Sequence, residues 1–323
     1  MTTGREPRDE TVAISATGLT RLFGTFRAVD ALDISVRRGE MVALVGPDGA
    51  GKTTTIRMLT GVLAPSSGSA AVQGYDLVRE IDSIKRRIGY LSQTFSLYGD
   101  LSVDENIEFF AQIHNVRDFR RRREELLAFT RLAPFRKRLA DRLSGGMKQK
   151  LALACTLIHK PDVVFLDEPT TGVDPVSRRD FWLILADLLR QGITIVMATP
   201  YLDEAERCHS VALMNDGRVI RRDSPGAIVR AFPHTLLELT CDNPHAAYEK
   251  VKSVAKWSGA QMFGARIHIP VKNEEQDSSE LRQLLASEAV TEPILRVIAP
   301  SLEDAFIEEI RQTEGARNPL QRG

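Results

Sequence analysis

Only three cysteines occur in 323 residues, at Cys155, Cys208 and Cys241, and no two sit at CxxC spacing. That excludes a disulfide framework and a thiolate metal site, and it suits a reducing compartment. Neither sign of charge is in excess: 43 Lys and Arg balance 43 Asp and Glu. No overall field therefore draws the chain to nucleic acid or anionic lipid. Long apolar runs are missing too; none approaches the roughly 18 residues of a spanning helix. The first ten residues are charged and include Pro7, without the apolar centre of a secretion signal. A cytoplasmic location is expected, with any membrane reached through another protein.

What is present is a hydrophobic content of 43%, enough at this length for one large domain plus a smaller one. Loosely alternating β-branched segments at 12–23 and 28–36 predict strands. The run 41–45 predicts a buried strand, followed by a loop, a helix to about residue 63 and a turn at 64–68. Strands are expected at 69–73 and 89–91, and a helical pattern over 102–132. Next come a helix at 151–159, a buried strand at 163–166, a helix at 181–190, a strand at 193–198, a helix at 202–208 and a strand at 211–214. This alternation predicts an α/β sheet with crossover helices. Phe232, Pro233 and His234 mark a seam. Beyond it the pattern restarts with a strand at 236–240, a helix at 246–257 and a strand at 265–271. A polar link over 273–279, a helix at 279–287, a strand at 294–298 and a helix at 302–311 complete a small α+β unit of ferredoxin-like pattern. The expected division is 1–10 disordered, 11–230 and 231–312 folded, and 313–323 a mobile tail.

Two motifs carry chemistry on their own. Gly46, Pro47, Asp48, Gly49, Ala50, Gly51, Lys52 and Thr53 fit the phosphate-loop pattern GxxxxGK[ST], between an apolar strand and a helix that opens with Thr54. Backbone N–H groups and the positive helix end form an anion cradle, and the glycines let the backbone come close. Lys52 would reach the β- and γ-phosphates, and the Thr53 hydroxyl would ligate Mg²⁺. Asp167 and Glu168 end the apolar run 163–166, at the edge of a parallel sheet where nucleotides bind. Asp167 is the candidate to hold Mg²⁺, and Glu168 to polarise a water.

The third element is Leu143, Ser144, Gly145, Gly146, Met147, Lys148 and Gln149 before an apolar helix. With the other two motifs in this order, residues 11–225 resemble an ATP-binding cassette, with Met147 where the signature usually has Gln. The resemblance implies a P-loop fold with a RecA-like core, an antiparallel β subdomain and a helical subdomain over about 94–160. It also implies ATP and Mg²⁺ as ligands. Phe23 matches the aromatic that stacks on adenine, against the alternative of a core phenylalanine. Gln93 matches the glutamine that reaches Mg²⁺ and the attacking water. Asp174 matches the D-loop aspartate at the dimer seam. Ser144, Gly145 and Gly146 would close on the γ-phosphate of a second protomer.

One position departs from that family. The strand at 193–198 should lead into a switch histidine, but Thr199 is followed by Pro200 and Tyr201. Proline has neither an imidazole nor an N–H, and one lost donor costs roughly 10²–10³ in rate. Tyr201 is a candidate substitute; His209 lies beyond the following helix. Asp48 stands where the family usually has Asn, which would weaken phosphate binding slightly. The Arg120–Arg123 run with Glu124 and Glu125 reads as a solvated helix face.

Pro300, Ser301, Leu302, Glu303, Asp304, Ala305 and Phe306 resemble the segment that closes ATPases of exporters with ABC-2 type permeases, of the daunorubicin and multidrug class. Asp48, Met147 and the missing histidine resemble the N-terminal half of tandem ATPases in that class. The resemblance implies an ATPase subunit at the inner face of the cell membrane, driving a separate ABC-2 type permease. It would pair with a second ATPase protomer, a heterodimer in preference to a homodimer, and bind no nucleic acid. The alternatives are a soluble cassette ATPase acting on ribosomes or DNA, and an ATP-gated regulatory subunit that hardly hydrolyses.

Overall fold

The computed structural model describes residues 11–94, 97–286 and 293–317. Residues 1–10 and 318–323, expected to be unstructured, lie outside them. The chain forms two compact units, Met1–Ser224 and Pro225–Gly323.

The first unit opens with β1 (Val12–Phe23) and β2 (Phe26–Arg37), then β3 (Met41–Val45) and α1 (Lys52–Leu59). Next come β4 (Ser67–Val72), β5 (Tyr75–Asp76), α2 (Ile81–Lys85), β6 (Ile88–Leu91), α3 (Val103–Ile113), α4 (Phe119–Phe129) and α5 (Gly145–Leu157). It continues through β7 (Val163–Asp167), α6 (Pro175–Arg190), β8 (Thr194–Thr199), α7 (Leu202–Ala205), β9 (Ser210–Asn215) and β10 (Arg218–Asp223). An antiparallel sheet runs β2-β1-β4-β5, and a six-stranded sheet runs β10-β9-β3-β8-β7-β6. The latter is parallel except for the β9–β10 hairpin. Every residue of β3, β7, β8 and β9 is buried, as expected of parallel strands covered on both faces. One core joins the two sheets, with Ile14, Leu19, Leu32 and Val36 packed in the same cluster as Leu44, Ile56, Met58 and Phe165.

Several boundaries differ from expectation for identifiable reasons. The pattern 102–132 is two helices, separated by a turn in which Asn115 has φ 53°. Its start is right because Ser102 and Glu105 form a reciprocal cap. Helix α5 begins six residues before 151, capped by Ser144 and passing through two glycines that depress helical propensity. Helix α6 begins at Pro175, six residues before 181, because Asp174 caps it and proline is tolerated in a first turn. Strand β10 is rich in arginine and has no apolar alternation to announce it.

The second unit contains α8 (Pro225–Arg230), β11 (Thr235–Thr240), α9 (Pro244–Lys252), β12 (Gln261–Phe263), β13 (Arg266–Val271), α10 (Glu274–Leu285), β14 (Ile294–Ile298) and α11 (Leu302–Arg317). Its antiparallel sheet runs β12-β13-β11-β14, the order of the ferredoxin-like βαββαβ motif. Leu237, Leu239, Val251, Trp257, Ile267, Ile269, Leu281 and Leu285 form the core. The division at Ser224 precedes the expected seam because α8 packs against α11. The stretch 273–279 is not a link. Asn273 caps α10, and Glu274, Glu275 and Asp277 lie in its first turn, where negative charge is favoured. Helix α11 likewise continues to Arg317, into the stretch expected as a tail. Among the described residues no helix is long and apolar enough to cross a membrane.

The segment after Pro300 has a structural role here. Ser301 N and Oγ donate to Asp304 Oδ2 at 2.8 and 2.6 Å, and Asp304 N donates back to Ser301 Oγ at 3.2 Å. The other carboxylate oxygen lies 2.7 Å from His268 Nδ1 on β13. Leu302, Ala305 and Phe306 are buried. Asp304 thus starts α11 and ties it to the sheet. Asp304→Ala is expected to lower the stability of this unit by about 2 kcal/mol, from a lost cap and lost charge-assisted bonds. Urea unfolding followed by Trp257 fluorescence in a Trp182→Phe background measures it.

Candidate functional site

The parallel sheet sets the site's geometry. Val45 pairs with Thr199, Asp167 with Ala198 and Leu91 with Leu166. The loops that follow these four strands therefore leave one edge together. They carry Gly46 to Gly51, Glu168 to Asp174, Pro200 with Tyr201, and Gln93.

The first loop is shaped by its glycines. A Cβ on Gly46 would lie 2.2 Å from Met214 O. Gly51 has φ 97°, and a Cβ there would lie 2.5 Å from Ala28 O. Pro47, Asp48 and Gly49 are exposed, while Ala50 is buried and donates its N–H to Pro47 O at 3.1 Å. Lys52 is only 5% exposed. Its Nζ donates to Gly46 O at 2.7 Å and Pro47 O at 2.9 Å, across the loop it would serve. Burial pushes its pKa below the usual lysine range, opposed by the charges of Glu168, Asp48 and Asp167. Asp48 therefore helps keep Lys52 protonated, besides the weakening of phosphate binding expected from sequence. Thr54 is half-buried in the first turn of α1.

Thr53 Oγ1 donates to Asp167 Oδ1 at 2.8 Å. Asp167 is 1% exposed, and its Oδ2 is buried without a hydrogen-bond partner. Burial raises the pKa of this carboxyl, and the Thr53 bond acts against that rise. A buried carboxylate oxygen lacking a donor, beside a hydroxyl, fits a small hard cation. Among the described residues no three His, Cys, Asp or Glu side chains gather into a metal cluster. A cation here would thus rely on one carboxylate, one hydroxyl, ligand oxygens and water, which suits Mg²⁺. Glu168 adopts φ 48°, uncommon for a residue with a Cβ. Its Oε2 accepts from Gln93 Nε2 at 3.0 Å and Thr171 Oγ1 at 3.3 Å.

A second group of expected residues gathers around the start of α5. Ser144 and Gly145 are exposed, and Ser144 Oγ accepts from Met147 N at 3.4 Å. A Cβ on Gly146 would lie 2.2 Å from Ser177 Cβ on α6. Asp174 accepts from Val176 N and Ser177 N at 3.1 and 2.9 Å, and bonding to Ser177 lowers its pKa. Among the described residues no hydrogen bond joins this group to residues 46–54. Phe23 is no core residue: it is 47% exposed, with the Arg21 guanidinium 4.7 Å from its ring centroid.

Around Pro200 the structure brings together residues that sequence reasoning missed. Glu204 is 1% exposed. Its Oε2 accepts from Thr199 Oγ1 at 2.7 Å, and its Oε1 from Thr170 Oγ1. Arg178 stacks over the Tyr201 ring at 4.8 Å and approaches Glu204 Oε1 to 3.8 Å. Nothing in the spacing of these residues announces the cluster; α7 looks like an ordinary solvated helix. His209 is excluded as a substitute, because its Nδ1 accepts from the N–H of Met41, at the opposite end of β3. Gly51→Ala is expected to destabilise the chain by about 2 kcal/mol, from the positive φ and the clash with Ala28 O. Chemical denaturation of the two proteins compares them.

Residues 29–171 match the family model described as ABC transporter. Over 299 residues, 91% of the chain, the sequence is 40% identical to the probable multidrug ABC transporter ATP-binding protein YbhF of Escherichia coli (strain K12). The match covers 51% of that protein, so the chain spans about half its length. It is 32% identical to the daunorubicin resistance ATP-binding protein DrrA2 of Streptomyces coeruleorubidus, over 91% of this chain and 94% of that one. Among solved structures it resembles the dimeric post-hydrolysis ATP-binding cassette MJ0796 bound to ADP and Pi. There the TM-score is 0.60 at 25% identity, over 65% of this chain and 98% of that one.

Proposed function

From the premise that the chain belongs to the ATP-binding proteins of ABC transporters, we propose that it binds and hydrolyses MgATP to drive a separate ABC-2 type permease in an exporter. One observation carries the reading: Lys52, the Thr53–Asp167 pair and the Gln93–Glu168 pair converge at one sheet edge. Backbone N–H groups of the loop 46–52 and the Lys52 ammonium hold phosphate oxygens. Thr53, Asp167 and Gln93 are the residues that would hold Mg²⁺, which would supply counter-charge to the phosphates. Glu168 accepts the proton of the attacking water, and Gln93 Nε2 orients its carboxylate. Phe23 offers an exposed ring for the base. The names of the relatives support an exporter.

The partners follow from what the site leaves out. Ser144, Gly145, Gly146 and Asp174 serve a second protomer, and the dimeric cassette with ADP and Pi supports such an assembly. Tyr98, Phe109 and Phe110 form an edge-to-face ring cluster, with Tyr98 and Ile113 exposed. This apolar face on the helical subdomain suits a permease. The protein then sits at the inner membrane face through that contact. The unit that ends at Ser224 acts as the motor and the one that begins at Pro225 as an accessory unit.

Lys52→Ala is expected to abolish tight MgATP binding, and Glu168→Gln to keep binding while stopping hydrolysis. Titration with a fluorescent ATP analogue and phosphate release measure the two; unchanged affinity in the first or wild-type turnover in the second refutes the site.

Pro200 gives the pairing its asymmetry. With no histidine beside the γ-phosphate, this chain's own Walker motifs form a slow site that mainly holds ATP. Its signature loop completes a fast site on a partner that has the histidine. The purified chain is therefore expected to hydrolyse ATP far more slowly than the mixed assembly. In that assembly Ser144→Arg is expected to cost more turnover than Glu168→Gln. Brisk hydrolysis by the chain alone, or the reverse order, removes the asymmetric model.

A further inference from the structure

We propose that Glu204 is a positioning residue that holds the Glu168 carboxylate in its working place, with Arg178 as its counter-charge; this rests on the reading of Glu168 as the general base. The need for such a group is visible at Glu168 itself. Its backbone lies at φ 48°, in a region that residues with a Cβ leave unless their surroundings over-determine it. The N–H of Glu168 is fixed to Ala198 O at 2.9 Å, one residue before Thr199. Two residues further along the loop, Thr170 Oγ1 donates to Glu204 Oε1, while Thr199 Oγ1 donates to Glu204 Oε2 at 2.7 Å. One buried carboxylate thus takes a bond from each side, from the loop that carries Glu168 and from the end of β8. Thr199 Oγ1 also accepts from Tyr201 N at 3.1 Å, so the turn containing Pro200 belongs to the same network.

Glu204 could not remain there alone. A carboxylate with 1% exposure is costly unless it is bonded and paired. Arg178 supplies the opposite charge, its Nε 3.8 Å from Oε1, and its guanidinium carbon lies over the Tyr201 ring, 4.8 Å from the centroid. Arg178 sits one residue beyond Ser177, the contact of Gly146, and four beyond Asp174. The same two turns of α6 therefore touch the signature segment on one side and the Glu204 clamp on the other. In this arrangement Tyr201 is committed to Arg178 as a ring, which argues against its standing in for the absent histidine.

The test uses the purified full-length chain in single-turnover MgATP hydrolysis, slow as its own site is expected to be. Glu204→Gln is expected to lower the rate about 10- to 100-fold. Half-saturation by ATP should stay within about twofold. Thr170→Val, nearly isosteric, should lower the rate in the same way, and Thr170→Ser should recover most of it. This pair keeps the test decisive where Glu204→Gln fails to fold. The inference falls if Thr170→Val, or a folded Glu204→Gln, keeps the wild-type rate. It also falls if ATP affinity drops in step with rate. Wild-type turnover by Glu168→Gln instead overturns the general-base reading itself, and the inference with it.

Discussion

Two buried side chains of opposite charge, Lys52 and Asp167, sit at one edge of the parallel sheet in the first unit without a direct bond between them. Lys52 directs its ammonium at two carbonyls of its own loop, and Asp167 leaves one oxygen with no donor. In a finished core both would be expensive. Here the cost is partly offset by the bonds each group does make, Lys52 to the Gly46 and Pro47 carbonyls and Asp167 Oδ1 to the Thr53 hydroxyl. The sheet supports this arrangement. Fully buried strands on either side of β3 leave the loop no freedom to withdraw, and Gly46 and Gly51 lie too close to Met214 O and Ala28 O to admit a side chain.

The motifs of this site were legible because each is contiguous. The loop 46–53, the pair Asp167 and Glu168, and Ser144 to Gly146 each declare their chemistry within a few residues. The flanking apolar runs fix which sheet edge they occupy. Helix starts were less legible where the cap and first turn use residues that usually break helices. Ser144 with two glycines and Asp174 with Pro175 are the instances, and both concealed six residues of helix. The stretch after Asn273 concealed α10 differently: its acidic first turn reads as solvent-loving linker until the helix dipole is considered.

Glu204 was illegible for another reason. Its partners, Thr170, Arg178 and Thr199, lie 34, 26 and 5 positions away and share no spacing rule. Only the parallel pairing of β7 with β8 brings their loops together. Asp304 is intermediate. Its bond to Ser301 follows the familiar three-residue capping interval, whereas its bond to His268 requires β13 to lie beside β11.

Proline at position 200 is easier to understand in this setting. The switch segment needs a fixed backbone path from β8 into α7, and Thr199, Tyr201 and Glu204 supply it without any imidazole. Proline adds stiffness to that path. A histidine acts at a switch by reaching toward developing charge, and nothing in this turn replaces that reach: Tyr201 is turned to Arg178 and His209 to the far end of β3. The order of the loop and the loss of the donor are therefore separable. The first rests on Thr199, Tyr201 and Glu204, and the second on the side chain at position 200 alone.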